Sequence, residues 1–80
     1  MNTIRLFGTA MCAPCQMMKK TLDTMHIDYE FVNCSENPSI AIKNNITTVP
    51  VLVVYNEKGE ELTRRNGLLT VSTIDEMVGV

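Results

Sequence analysis

The sequence predicts an α/β fold in which strands and helices follow one another in the order βαβαββα. One observation behind this prediction is a βαβ pattern, in which a mostly apolar run at 3–7 and a β-prone segment at 27–33 flank a segment with helical periodicity. The other is a hairpin pattern at 51–66, followed by a helix-start signal at Ser72. With 80 residues, the chain is expected to form one domain that spans residues 1–80.

Hydrophobic patterns predict the first strand and the first helix. Residues 3–7 form a mostly apolar run that ends at Gly8, and this run is typical of a strand that is buried on both faces. From Pro14 onward, apolar residues recur at intervals of three and four, which predicts an amphipathic helix of about three turns. The expected buried positions of this helix are Cys15, Met18, Leu22 and Met25.

The middle of the chain is predicted to form a second strand and a short helix. Residues 27–33 are rich in β-branched and aromatic side chains, which favour a strand. Asn37 is expected to cap a helix that starts at Pro38 and runs to about residue 44, because proline at the first helical position costs no hydrogen bond. Asn44 and Asn45 are expected to end this helix in a left-handed conformation.

The rest of the chain predicts a hairpin and a terminal helix. Residues 51–55 have the strongest β preference in the sequence, and a turn at 56–59 leads to a polar return strand at 60–66. A strand with this many charges suits an exposed sheet edge. Ser72 is expected to cap a final helix over residues 73–79. The predicted buried stripe of that helix is Ile74, Met77 and Val78.

The residues that carry chemistry form a C-x-x-C motif at 12–15, between the first strand and the first helix. A thiol attacks another sulfur as the thiolate, and the positive end of a helix macrodipole stabilises that form. We therefore expect Cys12 at the helix start to be the nucleophile. Cys15, one helical turn later, is expected to be the resolving thiol that releases a partner bound covalently to Cys12.

A zinc site is the main alternative for these cysteines, because Cys34 and His26 would complete a set of four ligands. His26 lies 11 residues beyond Cys15. At about 1.5 Å per residue, the helix separates the two by about 16 Å, which is too far for one metal ion. The sequence therefore predicts no metal site. Cys34 is interpreted as a small apolar residue that is buried or half-exposed.

The chain resembles the thioredoxin and glutaredoxin superfamily over nearly its whole length. The resemblance rests on the Cys-Ala-Pro-Cys motif at 12–15, the Thr-Val-Pro sequence at 48–50, and the spacing from Pro50 to Gly67 and the last helix. It implies a minimal thioredoxin fold, in which three helices flank a mixed four-stranded sheet. In length the chain is similar to a glutaredoxin, whereas its second half is more similar to a thioredoxin.

The resemblance also implies a groove beside the dithiol. In this superfamily the corresponding proline is cis and faces the C-x-x-C motif, so the backbone of Val49 can pair with an extended segment of the substrate. Exposed apolar side chains are expected to form the rim of that groove. The substrate-binding residues expected on this basis are Met11, Val49, Pro50 and Leu68.

The function implied is that of a thiol–disulfide oxidoreductase that reduces protein disulfides, with the Cys12–Cys15 disulfide as its redox group and no other cofactor. Glutaredoxins usually hold glutathione with a paired-glycine motif, whereas this chain has Gly-Leu-Leu at 67–69. Leucine obstructs the close backbone approach that glycine permits. A reductase resembling thioredoxin reductase is therefore expected to recycle the protein.

Three alternatives stay open under the same resemblance. The first alternative is a glutathione-dependent glutaredoxin, and the second is a non-catalytic binding module on a thioredoxin fold. In the third, two chains share an iron–sulfur cluster, as some glutaredoxins do. The sulfurs of one chain do not suffice for such a cluster.

Composition argues against several other classes of function. The net charge is −2, and the charges are mixed along the chain, so no basic stripe for nucleic acid is present. No stretch approaches the roughly 18 apolar residues of a membrane span, and no signal-peptide core is evident. Three cysteines, an odd number, suit a reducing compartment. We expect a cytoplasmic monomer that takes part in electron transport and cell redox homeostasis.

Overall fold

The strands and helices follow one another in the predicted order. They are seen in a computed structural model that describes residues 2–79. The elements are β1 (Thr3–Gly8), α1 (Ala13–Thr24), β2 (Glu30–Asn33), α2 (Pro38–Lys43), β3 (Val51–Tyr55), β4 (Glu61–Asn66) and α3 (Val71–Val78). The order βαβαββα is therefore confirmed. No helix in this part of the chain is long and apolar enough to cross a membrane.

The four strands form one mixed sheet in the order β2-β1-β3-β4. β1 lies parallel to β2 and antiparallel to β3, and β3 pairs with β4 in antiparallel fashion. Phe7 pairs with Val51, and Val51 pairs with Asn66. The end of β1, the start of β3 and the end of β4 therefore meet at one end of the sheet. We call it the dithiol end, because the loop that carries Cys12 leaves β1 there, and we call the opposite end, where β1 begins, the far end.

Two apolar clusters cover the two faces of the sheet. The larger cluster joins the sheet to α1 and α3, and its buried members are Ile4, Leu6, Met18, Leu22, Leu52, Val54, Ile74 and Met77. The smaller cluster consists of Phe7, Val51, Val53 and Tyr55. Successive residues of a strand point to opposite faces, so β3 contributes to both clusters, and all five of its residues are buried. β3 is the centre of the fold.

The second strand is shorter than the sequence predicts. β2 begins at Glu30, whereas the β-prone run begins at residue 27. The first residues of that run still complete the end of α1, because the N–H of Ile27 donates to the carbonyl of Leu22 at 3.1 Å. The start of the β-prone run therefore forms hydrogen bonds at the end of α1 instead of joining the strand. β4 begins one residue later than predicted, at Glu61, and its residues are exposed or half-buried as expected of an edge strand.

The caps of the last two helices also differ from the prediction. α3 begins at Val71 rather than residue 73, and its cap is Thr70, whose hydroxyl accepts the N–H of Thr73 at 3.2 Å. Ser72 lies inside the first turn, so its prediction as the cap is wrong. Asn37 flanks α2 but makes no capping hydrogen bond with its side chain. Its amide donates instead to the carbonyl of Asn33 at 3.2 Å.

Candidate redox-active site

Cys12 occupies the N-cap position of α1. Its backbone is extended, with φ −93° and ψ 110°, and Pro14 lies in the first helical turn. The Sγ atom of Cys12 accepts the backbone N–H of Cys15 at 3.3 Å. An extended cap followed by proline starts a helix without loss of a hydrogen bond. The sulfur of Cys12 therefore lies at the positive end of α1, where a thiolate is stabilised.

Cys15 lies one turn further along α1 and forms a disulfide with Cys12. The two Cα atoms are 5.2 Å apart. Cys15 is 0% exposed, whereas Cys12 is only half-buried. Cys12 is therefore more accessible from solvent than Cys15. This difference in burial distinguishes the two thiols of the motif.

The loop before the motif is held by Gln16, which the sequence analysis did not identify. The Nε2 atom of Gln16 donates to the carbonyls of Ala10 at 3.3 Å and Thr9 at 3.5 Å. The N–H of Cys12 also donates to the carbonyl of Thr9, at 3.4 Å. These bonds fix the path of the chain into α1. An exposed glutamine carries no sequence signal that separates such a role from ordinary solvation.

The Val49–Pro50 peptide bond is cis, as the resemblance to the superfamily implies. Pro50 is fully buried, and its carbonyl accepts the N–H of Gly67 at 2.9 Å. The side-chain amide of Asn66 also donates to the hydroxyl of Thr48 at 3.4 Å. The loop that contains the cis proline is therefore joined directly to the loop between β4 and α3.

The loop between β4 and α3 is also joined to the helix that carries the dithiol. Gly67 has a φ of 90°, which favours glycine because a side chain is strained in that region. Two residues later, the N–H of Leu69 donates to the Sδ atom of Met18 at 3.4 Å. Met18 is fully buried on α1, one turn beyond Cys15. The position of Leu68 is thereby fixed relative to α1.

The residues predicted to bind substrate lie on three loops at the dithiol end. Met11 is 96% exposed and Leu68 is 55% exposed, so both present apolar side chains to solvent. Val49 is half-buried and Pro50 is buried. Exposed apolar residues that lie near one another are typical of surfaces that bind other proteins. The binding roles of these residues stay predictions.

The segments around the dithiol contain no formally charged side chains. Residues 9–18, 44–51 and 66–74 include no Asp, Glu, Lys, Arg or His. These segments contain the start of α1, the cis-proline loop and the loop that leads into α3. These three segments therefore present apolar, hydroxyl and amide groups around the dithiol, and the loop after β2 at the same end of the sheet adds the carboxylate of Glu36.

Cys34 follows β2 at the same end of the sheet. Its N–H donates to the carbonyl of Gly8 at 2.8 Å, and its half-buried side chain packs against the smaller apolar cluster. Burial raises the pKa of the Cys34 thiol, and a backbone hydrogen bond to Gly8 partly opposes this shift. A protonated thiol is a poor nucleophile. The interpretation of Cys34 as a packing residue agrees with this environment.

The residues considered for a zinc site do not come together. His26 is exposed in the turn after α1, with a φ of 58°, whereas both thiols of the motif lie at the start of that helix. Within residues 2–79, no three His, Cys, Asp or Glu side chains are grouped so that they could hold a metal ion. The chemistry that this site supports is therefore the exchange between two thiols and a disulfide.

Known proteins are similar to this chain in sequence. A family model described as Glutaredoxin matches residues 4–60. The SPbeta prophage-derived thioredoxin-like protein YosR of Bacillus subtilis is 30% identical over 67 residues, which cover 84% of this chain and 82% of that protein. The chain belongs to the thioredoxin/glutaredoxin superfamily. A thioredoxin of Porphyra purpurea is 28% identical over 75 residues, covering 86% of this chain and 69% of the relative.

Solved thioredoxin structures confirm the minimal thioredoxin fold. A mutant thioredoxin from Halobacterium salinarum has a TM-score of 0.86 at 23% identity, with 98% of this chain and 73% of that chain covered. Mitochondrial thioredoxin 3 from Saccharomyces cerevisiae, in its oxidized form, has a TM-score of 0.84 at 19% identity, with coverages of 99% and 78%. Together with the Cys12–Cys15 pair, membership of this superfamily makes the chain a dithiol–disulfide oxidoreductase.

Proposed function

We propose that this oxidoreductase reduces disulfides in other proteins, with Cys12 as the nucleophile and Cys15 as the resolving thiol. The observation that carries the assignment is the unequal burial of two sulfurs within one disulfide. Cys12 is half-buried at the helix N-terminus, whereas Cys15 is 0% exposed behind it. The more accessible sulfur, that of Cys12, reacts with the partner first. The buried sulfur of Cys15 then reacts within the covalent complex.

The reaction proceeds in two exchange steps. The thiolate of Cys12 attacks one sulfur of the partner's disulfide, and the other partner sulfur leaves as a thiolate that takes a proton from water. Cys15 then loses its proton and attacks the sulfur of Cys12, which releases the second partner thiol. Two electrons pass to the partner, and the Cys12–Cys15 disulfide remains. No resident cofactor takes part in this scheme.

Partner proteins are recognised at the dithiol end through apolar contacts and backbone hydrogen bonds. Met11 and Leu68 are both exposed, and the segments around the dithiol lack charged side chains. An extended substrate segment can pair with the backbone of Val49 in strand fashion. Such a surface accepts varied sequences around a disulfide, because it selects neither positive nor negative neighbours.

A reductase similar to thioredoxin reductase recycles the oxidised protein in this proposal. Binding of a glutathione carboxylate requires free backbone N–H groups near the start of α3. The N–H of Gly67 donates to Pro50, and the N–H of Leu69 donates to the sulfur of Met18. Internal bonds thus occupy two donors of this loop, and the side chain of Leu68 lies between them. We assign this cycle to the cytoplasm, with the protein acting as a monomer in cell redox homeostasis and electron transport.

The recycling partner is tested by coupling reduction of insulin disulfides to NADPH oxidation in two reconstituted systems. One contains thioredoxin reductase, and the other contains glutathione at about 5 mM with glutathione reductase. We expect turnover with thioredoxin reductase to be at least about tenfold faster. Comparable, saturable turnover with glutathione would show that the chain works as a glutaredoxin. Failure of both systems, with partner binding unchanged after alkylation of the thiols, would favour a binding module.

A further inference from the structure

We propose that Gly8 is a positioning residue, which leaves open the space that the Cys15 sulfur occupies. This inference rests on the proposed role of Cys15 as the resolving thiol. Gly8 is the last residue of β1, and it is buried opposite Asn33 of β2. A methyl group placed on Gly8 would lie 2.8 Å from Sγ and 3.0 Å from Cβ of Cys15. The first distance is shorter than packed side chains tolerate, so the substitution must move Cys15 and the end of β1 relative to each other.

Backbone conformation does not explain a glycine at this position. Gly59 and Gly67 have φ angles of 83° and 90°, where a side chain is strained. Gly8 has no such angle and belongs to a regular strand, whose backbone any residue can adopt. A glycine also weakens a strand interior, because it has no side chain to pack. The reason for a glycine at position 8 is therefore the space that the absent side chain leaves for Cys15.

The structure offers no easy way to make room for a side chain there. The Cε1 atom of Phe31 lies 3.1 Å from the same methyl position, on a ring that also packs against the larger apolar cluster. The ammonium of Lys19 lies 4.3 Å from the centroid of that ring, which holds the ring in place by a cation–π contact. Rotation of the Cys15 side chain moves Sγ but not Cβ. Relief of both contacts therefore requires the start of α1 and the end of β1 to move apart, which displaces Cys15 relative to the strand.

A displaced Cys15 impairs the second exchange step more than the first. In that step a bond forms between the sulfurs of Cys15 and Cys12, while the bond from Cys12 to the partner breaks and the partner sulfur leaves with the electron pair. The proton of Cys15 passes to solvent beforehand. Misplacement of a reacting atom by about 1 Å can slow such a step by about 100-fold. The first step uses only Cys12, which the carbonyl of Thr9 also holds.

Stopped-flow reaction with substoichiometric 5,5′-dithiobis(2-nitrobenzoate) separates the two steps. Attack by Cys12 releases one coloured thiolate, and closure by Cys15 releases the second. With Cys34→Ser in all proteins, we expect Gly8→Ala to keep the first phase within about twofold and to slow the second by about 10- to 100-fold. Gly79→Ala is the matched control, since Gly79 has an ordinary φ of −82° at the end of α3, and it should change neither phase.

An unchanged second phase in Gly8→Ala, or equal slowing of both phases, would overturn the role of Gly8. Failure of the proposed function gives a different result, because the first phase would then persist in Cys12→Ser. A double-mutant cycle of urea midpoints covers the case in which Gly8→Ala folds poorly. The substitution should cost less stability in a Cys15→Ala background, where the sulfur is absent. Equal loss in both backgrounds would contradict the inference.

Discussion

The two ends of the sheet differ sharply in charge. At the dithiol end, the segments 9–18, 44–51 and 66–74 contain no Asp, Glu, Lys, Arg or His. The loops at the far end, by contrast, carry the side chains of His26, Asp28, Glu57, Lys58 and Glu60. An ion pair at 2.7 Å also joins Arg5, the third residue of β1, to Glu30, the first residue of β2. The three segments that flank the dithiol are thus uncharged, whereas the loops at the far end are charged, and Glu36 in the loop after β2 places a carboxylate at the dithiol end.

The charged and the uncharged regions suit two different requirements, which are dispersal in water and recognition of partner disulfides. A chain of 80 residues has little surface, and it needs charge on part of that surface to remain dispersed in water. A charge beside the dithiol would restrict which disulfides can approach, because like charges repel and unpaired charges lose hydration in the complex. In the proposed function, the uncharged segments beside the dithiol admit protein disulfides with varied neighbours, while the charges at the far end and along the exposed edge interact with water.

The largest effect is expected from removal of the nucleophile at the dithiol end. Cys12→Ser should lower the rate of insulin disulfide reduction by about 10³-fold or more, because a hydroxyl does not attack sulfur. Cys34→Ser is the matched control and should retain most of the activity, since the Cys34 thiol is half-buried and its pKa is raised by burial. A loss in the Cys34 variant as large as that in the Cys12 variant would mean that the two-thiol account is wrong.

A smaller effect is expected when a charge is placed on the uncharged rim. Leu68→Glu should lower kcat/KM for a protein disulfide by about tenfold, which corresponds to about 1.4 kcal/mol, because the carboxylate loses hydration on docking. Reduction of the neutral bis(2-hydroxyethyl) disulfide should change by less than about twofold. Leu62→Glu is the control, since Leu62 is 39% exposed on the outer strand β4, away from the dithiol. Equal losses in both variants would indicate a general effect of charge.

Ionic strength should change the wild-type reaction only slightly. Charge-steered association slows steeply with salt, because the Debye length falls from about 10 Å at 0.1 M to about 3 Å at 1 M. The segments that flank the dithiol carry no charge and give little such steering, so kcat/KM for insulin should vary by less than about twofold over this range. Leu68→Glu should add a salt dependence that the wild type lacks. A tenfold decrease in the wild type would contradict recognition through apolar contacts.

The smallest effect is expected from the ion pair on β4. Glu61 contacts Arg64 at 2.7 Å, and this hydrogen-bonded partner lowers the pKa of Glu61. The pair therefore stabilises the fold above the carboxyl pKa of the unfolded chain, about 4.3, and this contribution is lost as the pH falls through the lower pKa of the folded state. Glu61→Gln should lower the urea midpoint slightly at pH 7, with the difference shrinking as the pH falls below the carboxyl pKa of the unfolded chain. A difference that grows in acid would contradict this assignment.

Much of this arrangement is predictable from the sequence, because it depends on local spacing. The position of Cys12 at the start of α1 follows from a strand, a C-x-x-C motif and Pro14 in immediate succession. The edge character of β4 follows from its charges. The cis state of Pro50 is predictable only through the resemblance to a known family, since its own sequence context fits a trans bond equally well.

Other features depend on distances across the fold and leave no local pattern. The lack of room for a side chain on Gly8 arises from the packing of Cys15 on α1 against the strand end, and sequence analysis could treat Gly8 only as the end of a strand. The bond from the Leu69 N–H to Met18 spans 51 residues. The cap of α3 was misplaced because Thr70 and Ser72 are both suitable caps, and the choice between them depends on packing.

Trapping of the covalent intermediate tests the central claim most directly. Cys15→Ser, in a Cys34→Ser background, is incubated with a disulfide-containing protein such as oxidised insulin and analysed by intact mass spectrometry without reductant. The account predicts a stable mixed disulfide through Cys12, because the resolving thiol is absent, and it predicts that Cys12→Ser in the same background forms none. A complex that forms with Cys12→Ser but not with Cys15→Ser would reverse the roles of the two thiols and contradict the account.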